Sequence, residues 1–394
     1  MAIKITDTVS WVGKVDWELK TFHGEEYSTH KGSTYNSYLI QAEKNVLIDT
    51  VWQPFSAEFI NKLQQEIDLK KIDYIVANHA EIDHSGALPE LMKLIPDTTI
   101  ICTANGVKSL RGMYHADWNF QPVKTGDKIS LGSRELIFVE APMLHWPDSM
   151  FTYLTGDEIL FSNDAFGQHY ATELLYNDLV NQPELQYECL KYYANILTPF
   201  SRLVDRKIKE VVGLNLPLKL ICPSHGVIWR DNPLQIVEQY AKWANNYQEN
   251  QITILYDTMW NSTKRMAEEI AKGILAGDGT VTVKLFNTAQ RDKNDIIAEV
   301  FKSKAIVVGS PTINKGILSS VAALMEEIKG LSFKNKKAAA FGSYGWGGES
   351  VKEITSLLQE SGFEIVSEGV KGNWAPDEHV RAECFALGKK IAEA

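Results

Sequence analysis

A two-domain α/β protein is the fold class this sequence predicts, on three observations. The chain is 394 residues long, room for two or three domains at about 150 residues each. Apolar residues make up 44% of it and charged residues 23%, the balance of a chain that buries a core rather than staying disordered. From about residue 250 onward, strand-like and helix-like segments alternate five times, the pattern of a doubly wound parallel sheet with helices on both faces.

The elements follow in order. Before residue 250, short runs rich in Ile, Val and Leu predict strands at 45–50, 72–78, 98–103, 136–141, 158–162 and 218–222, as expected of strands covered on both faces. Helical spacing predicts helices at 56–66, 88–94 and 234–247, and the polar stretch 245–251 reads as a linker. Beyond it the predicted strands are 252–256, 281–286, 305–309, 337–342 and 364–370. The helices between and after them are 263–275, 293–301, 321–328, 349–361 and 379–392. No internal repeat or low-complexity segment interrupts the pattern.

Composition excludes several classes. Lys+Arg is 40 and Asp+Glu is 50, a formal charge of −10. That argues against nonspecific nucleic-acid binding, which draws on basic patches. Cys102, Cys189, Cys222 and Cys384 are widely spaced with no C-x-x-C, so no zinc ribbon, rubredoxin-type iron site or iron–sulfur signature is present. There is no apolar run long enough for a membrane span and no secretory h-region after Met1, and the expected location is cytoplasmic with no membrane partner.

The densest chemistry is His79-Ala80-Glu81-Ile82-Asp83-His84, directly after the apolar run at 72–76. Clustered carboxylates and imidazoles repel or desolvate one another unless a cation joins them. The same grammar recurs: His145 follows the run 136–143, Asp164 follows 159–162, and His225 follows 218–222. Strands of one sheet end on one side, so their loops can converge. Four His, two Asp and one Glu suffice for two metal ions with a carboxylate between them. With no thiolate in the set, iron, manganese or zinc suits it.

In the second half, the first strand runs into Asp257-Thr258-Met259-Trp260-Asn261-Ser262-Thr263 at a helix start. Hydroxyls, an amide and backbone N–H groups there make an anion site. Gly309-Ser310-Pro311-Thr312-Ile313-Asn314 follows the third strand, and Ser343-Tyr344-Gly345-Trp346-Gly347-Gly348 the fourth. G-x-G-x-x-G and the P-loop motif are absent, which weighs against NAD, FAD-type Rossmann binding and P-loop NTPases.

The first half resembles the metallo-β-lactamase fold, an αββα sandwich whose hydrolases usually carry H-x-H-x-D-H. Glu81 stands where the second His would be. H-x-E-x-D-H followed by His145, Asp164 and His225 is the pattern of flavodiiron proteins, and the resemblance covers the whole chain and the order of its domains. It implies a diiron domain at 1–249 and a flavodoxin-like FMN domain, a five-stranded doubly wound sheet, at 250–394. By this likeness His79, Glu81 and His145 hold one iron, Asp83, His84 and His225 the other, and Asp164 bridges them. Members of the family differ in whether the His at position 84 binds metal directly. The three loops of the second domain would hold FMN, with Trp346 packed on the ring and Trp374 a further neighbour. His169 and Tyr193 match family positions near the substrate pocket.

The resemblance further implies reduction of O2 to water and/or NO to N2O, with electrons from a separate carrier, expected to be a rubredoxin since no such domain follows 250–394. It also implies a head-to-tail homodimer or a dimer of dimers. Two other readings stand beside it. One is a dinuclear hydrolase with an attached flavodoxin-like domain, against which Glu81 speaks. The other is an electron-transfer module with a decayed metal site, against which all seven filled ligand positions speak.

Overall fold

The computed structural model describes residues 2–394. It divides into two compact units, one of residues 2–192 with 200–241, the other of 193–199 with 242–394.

Among the described residues, the first unit holds a seven-stranded and a five-stranded sheet. The larger sheet contains Asn45–Ile48, Ile72–Val76 and Thr99–Thr103, which run parallel to one another. The smaller contains Glu135–Glu140, Met150–Leu154, Ile159–Asn163 and Leu220–Pro223. Ile48, Val76 and Ile101 from one sheet pack with Leu136, Phe138, Leu154 and Phe161 from the other. Period-two alternation sends Val139, Phe151 and Tyr153 to the opposite face of the smaller sheet, where helices Ser201–Gly213 and Leu234–Ala244 lie. Helices Ser56–Glu66 and Leu88–Leu94 begin and end where the periodicity places them. Strand Met150–Leu154 and helices Ala104–Tyr114, Gln182–Tyr192 and Ser201–Gly213 are additions to the predicted set.

The second unit is a parallel sheet in the order Thr282–Asn287, Glu249–Tyr256, Ser303–Gly309, Lys337–Tyr344. The order reverses between the first and third strands in sequence, and ligands bind in the crevice at such a reversal. Two predicted boundaries move. The first strand begins at Glu249, inside the expected linker. Gln251 is buried there, its amide donating to the Glu299 carbonyl and to Ser303 Oγ, so a polar Glu-Asn-Gln run is strand rather than loop. The expected strand at 364–370 is two short pieces, Glu364–Ile365 and Val370–Asn373. They pair with opposite ends of Lys337–Tyr344, and Gly369 at φ +88° bends the chain between them.

Candidate metal centre and flavin cradle

Each ligand candidate sits just past a strand end in the first unit. His79 and Glu81 follow Ile72–Val76, and Asp83 and His84 lie on the one-turn helix Ile82–Ser85. His145 follows Glu135–Glu140, Asp164 follows Ile159–Asn163, and His225 follows Leu220–Pro223. The loops converge into two groups, His79, Glu81, His145 and Asp164, and beside them Asp83, His84 and His225. Within each group the offered atoms lie within 4.8 Å of one another.

Asp164 faces both groups. Its Oδ2 is 3.0 Å from His145 Nε2 and 3.7 Å from His79 Nε2. Its Oδ1 is 3.0 Å from His84 Nε2 and 3.6 Å from His225 Nε2. Asp83 Oδ2 closes the second group, 3.1 Å from His84 Nε2 and 3.0 Å from His225 Nε2. Burial disfavours charge on Asp164, but the charge on nearby His84 and the hydrogen bond from His145 outweigh it and hold the carboxyl well below its usual range. Burial likewise opposes charge on His84, yet Asp83 and Asp164 push it up to about 9.

These side chains fit cations. Both Asp83 oxygens and both His84 nitrogens are buried and make no well-aligned hydrogen bond among the described residues, and Asp83 Oδ2 and His84 Nε2 face only other ligand candidates. Such orphans are costly unless another ligand satisfies them. Neighbouring groups fix the tautomers that metal binding needs. His79 Nδ1 donates to Asp148 Oδ2 at 3.0 Å, and His225 Nδ1 donates to the Thr34 carbonyl at 2.6 Å. Both rings therefore present the Nε2 lone pair to the cluster. Ser224 donates to Asp164 Oδ1 at 2.6 Å. Gly226, at φ +74°, makes the turn after His225, where a Cβ would lie 1.7 Å from Gln168 Oε1.

The sequence reading missed two neighbours. Asp148 also accepts from the Ala80 N–H at 2.7 Å. His23, from the hairpin Thr21–Phe22 with Tyr27–Ser28, places Nε2 2.6 Å from Glu81 Oε1 and leaves Oε2 for the first group. His169 is 1% exposed beside His225, with ring centroids 4.8 Å apart. Its Nδ1 meets Ser33 Oγ at 2.8 Å, and its Nε2 has no partner among the described residues. Burial and the nearby His225 hold it well below the ordinary imidazole value. Tyr193 is placed otherwise than expected. It packs against Trp243 and Phe301, and its neighbour Tyr192 is the tyrosine 5.2 Å from the His169 ring. Adjacent residues of a helix face different ways, and a one-residue slip exchanges them.

In the second unit the three loops gather at the order reversal. The Asp257 N–H donates to the Gly309 carbonyl at 3.1 Å, and the Thr312 N–H to the Ser343 carbonyl at 2.8 Å. Thr263 and Ser343 join their hydroxyls at 2.9 Å, so they brace two loops together. Asn261, at φ +66°, precedes helix Ser262–Gly277. Thr258 Oγ1 is buried and unpartnered among the described residues, a donor placed for an anion at a helix start. Met259, Trp260, Trp346 and Trp374 all lie exposed around this end of the sheet. Trp346 and Trp374 stand with centroids 6.2 Å apart, and Gly345 admits the Trp374 ring where a Cβ would come within 2.9 Å of it. The arrangement fits a phosphate at the Thr258–Thr263 loop and a flat apolar ring among the tryptophans. Pro311, Ile313 and Asn314 belong to the second loop, and Tyr344, Gly347 and Gly348 to the third.

A two-metal centre in a sandwich of this kind, followed by a flavodoxin-type sheet, defines a metalloflavoprotein oxidoreductase. Residues 34–226 match the ODP family of β-lactamase domains, and residues 254–388 match flavodoxin. An anaerobic nitric oxide reductase flavorubredoxin of Escherichia coli is 57% identical over 394 residues, all of this chain and 82% of that protein. Rubredoxin oxygen:oxidoreductase of Desulfovibrio gigas superposes with a TM-score of 0.96 at 38% identity, over 100% of this chain and 98% of that one. The flavodiiron protein of Giardia intestinalis does so with 0.94 at 33% identity, over 100% and 96%. The chain belongs to the flavodiiron protein family, an oxidoreductase with FMN and a non-haem diiron site as its cofactors.

Proposed function

We propose that this chain reduces NO to N2O and/or O2 to water, with electrons from a separate soluble donor of the rubredoxin type. The names of the Escherichia coli and Desulfovibrio gigas relatives support the two gases, and the latter supports the donor. The observation that carries the reading is Asp164, one oxygen toward each ligand group.

In this reading His79, Glu81 and His145 hold one iron, and Asp83, His84 and His225 the other, with Asp164 shared. His84 is included as a ligand because its Nε2 faces Asp83 Oδ2 at 3.1 Å and Asp164 Oδ1 at 3.0 Å, both oxygens of the cluster. FMN lies on the 258–263, 310–314 and 343–348 loops. Two electrons from reduced flavin and two from a ferrous pair make the four that take O2 to two waters, and two of them suffice for two NO.

The chain's own groups do the rest. Asp148 and Thr34 keep His79 and His225 in the metal-binding tautomer. Phe22, Tyr27 and Tyr192 surround His169 and keep bulk water from that side. His169 stays neutral there and offers Nε2 to orient a bound diatomic molecule. The four cysteines are buried free thiols, which suits a cytoplasmic location. Among the described residues, no helix is long and apolar enough to cross a membrane. A head-to-tail dimer, flavin of one copy toward the irons of the other, is part of the proposal.

Anaerobic turnover of iron- and FMN-loaded protein with a rubredoxin donor, comparing NO and O2, tests it. Consumption of at least one gas, slowed about tenfold or more in His169→Asn at unchanged iron content, is the expected result. No consumption of either gas by the loaded protein would overturn the reading.

A further inference from the structure

Outside the metal cluster, the first unit contains an apolar cavity of about 420 Å³. Its floor is the outer face of the smaller sheet, including Val139, Phe151 and Leu160, and its roof is helix Ser201–Gly213, including Val204, Ile208 and Val211. Val212, Leu214 and Leu234 form part of its wall and are 58%, 43% and 47% exposed, so the rim open to solvent is apolar too. Three polar side chains of the wall are engaged elsewhere: Lys207 Nζ lies 2.7 Å from Glu210, the Tyr153 hydroxyl donates to the Pro217 carbonyl at 2.5 Å, and Asn215 Nδ2 donates to the Gly213 carbonyl at 3.4 Å. Such a space is poorly suited to water, which needs several polar partners, and well suited to small apolar solutes.

Two residues that line this cavity are chain neighbours of ligand candidates. Leu144 and Ala165 line the cavity. Their chain neighbours His145 and Asp164 face each other across 3.0 Å inside the cluster. Both linings are buried, at 4% and 1% exposure. Protein interiors are close-packed, and an unfilled apolar space forfeits dispersion contacts and stability. Its position behind two ligand loops gives this one a use.

We propose that the cavity is a binding site for small apolar gases, an antechamber where NO or O2 collects before reaching the irons past Leu144 and Ala165. The assignment of NO and O2 as the gases rests on the proposed reductase activity; the capacity to hold an apolar gas does not. Apolar diatomics partition from water into such a space because it breaks no hydrogen bond to receive them. The open rim loads it from solvent, and rotation of the Leu144 side chain lets gas pass toward the cluster.

Xenon is the probe. Crystals of the iron- and FMN-loaded protein under xenon pressure should show a xenon atom among Leu144, Phe151, Ala165 and Val204. In parallel, Val204→Phe and Ile208→Trp each fill the space from the helix side, far along the chain from any ligand candidate. Each should abolish the xenon peak and raise the KM for gas several-fold, with kcat at saturating gas, iron content and the rate of flavin reduction unchanged. If one variant fails to fold, the other and the wild-type xenon peak still decide. No xenon in the cavity, or an unchanged KM in a folded variant that has lost the peak, would overturn the proposal. A wild-type protein that binds xenon here yet reduces neither gas would instead refute the reductase reading.

Discussion

Asp148 shows how one residue governs a metal ligand it is far from in sequence. Its carboxylate takes the proton-bearing nitrogen of His79 and the Ala80 N–H, so it sets both the tautomer and the loop that carries it. Residues that orient metal-bound imidazoles typically matter 10–100-fold, roughly, for affinity. Asp148→Ala is expected to lower iron affinity by about that factor while leaving FMN content unchanged. Iron per chain after dialysis against graded chelator concentrations measures it, and wild-type retention would refute the role. The seven ligand candidates were legible because each closes an apolar strand run and four fall within six residues. Asp148 and His23 were not. Asp148 follows a Pro in a loop, and His23 follows no apolar run, so neither had a pattern to carry it. Tyr192 and Tyr193 form an adjacent pair on one helical turn, and only the three-dimensional packing separates their roles.

At the scale of elements, Lys336 joins three segments of the second unit. Its buried ammonium reaches the carbonyls of Phe301 at 2.8 Å, Ser303 at 2.6 Å and Tyr247 at 3.3 Å. Phe301 lies in the last turn of helix Lys293–Lys302, where a cation complements the dipole and the unpaired carbonyls. Burial pushes the amine down to about 7. The unfolded chain therefore binds more protons at this site between about pH 7 and pH 10, and the site's contribution to stability rises with pH across that window. Lys336→Met should destabilise the unit by about 1–3 kcal/mol, since buried carbonyls lose their donor. The gap from wild type should widen from pH 7 to pH 9. Urea unfolding at several pH values checks this, and a gap that narrows toward pH 9 contradicts the assignment. Helices with clean periodicity, such as Ser56–Glu66, could be placed to the residue. Strand Met150–Leu154 could not, because all five residues are buried and no alternation marks it. Glu249–Gln251 looked like a linker because its polar side chains are satisfied by partners distant in sequence.

At the scale of the whole molecule, the proposed head-to-tail assembly has a signature that no single chain can give. A His79→Ala chain keeps its flavin loops, and a Thr258→Glu chain keeps its ligand cluster. Each alone should be inactive. Mixed in equal amounts and allowed to exchange subunits, half of the dimers pair a good flavin with good irons at one of two sites. About a quarter of wild-type turnover should return. No recovery, with subunit exchange verified by mass, would mean that flavin and irons work within one chain. The two-unit organisation was legible from the change of pattern near residue 250, because alternating strand and helix is a strong periodic signal. The strand order was not, since pairing between distant segments leaves little trace in a single sequence.

The origin of the ligands has a consequence for how the protein lives without iron. His79, Glu81, Asp83 and His84 hang from the larger sheet, while His145, Asp164 and His225 hang from the smaller. Each ligand group draws on both. The centre is thus a clasp across the open edge of the sandwich, and Asp164 ties its two halves into one fastening. Ions that bind the folded form alone add their binding free energy to its stability. Iron starvation would then loosen the first unit and leave the second, which shares none of these ligands, intact. A newly made chain in an iron-poor cell would carry a sound flavin domain beside a half-fastened partner, open to proteases from one end only.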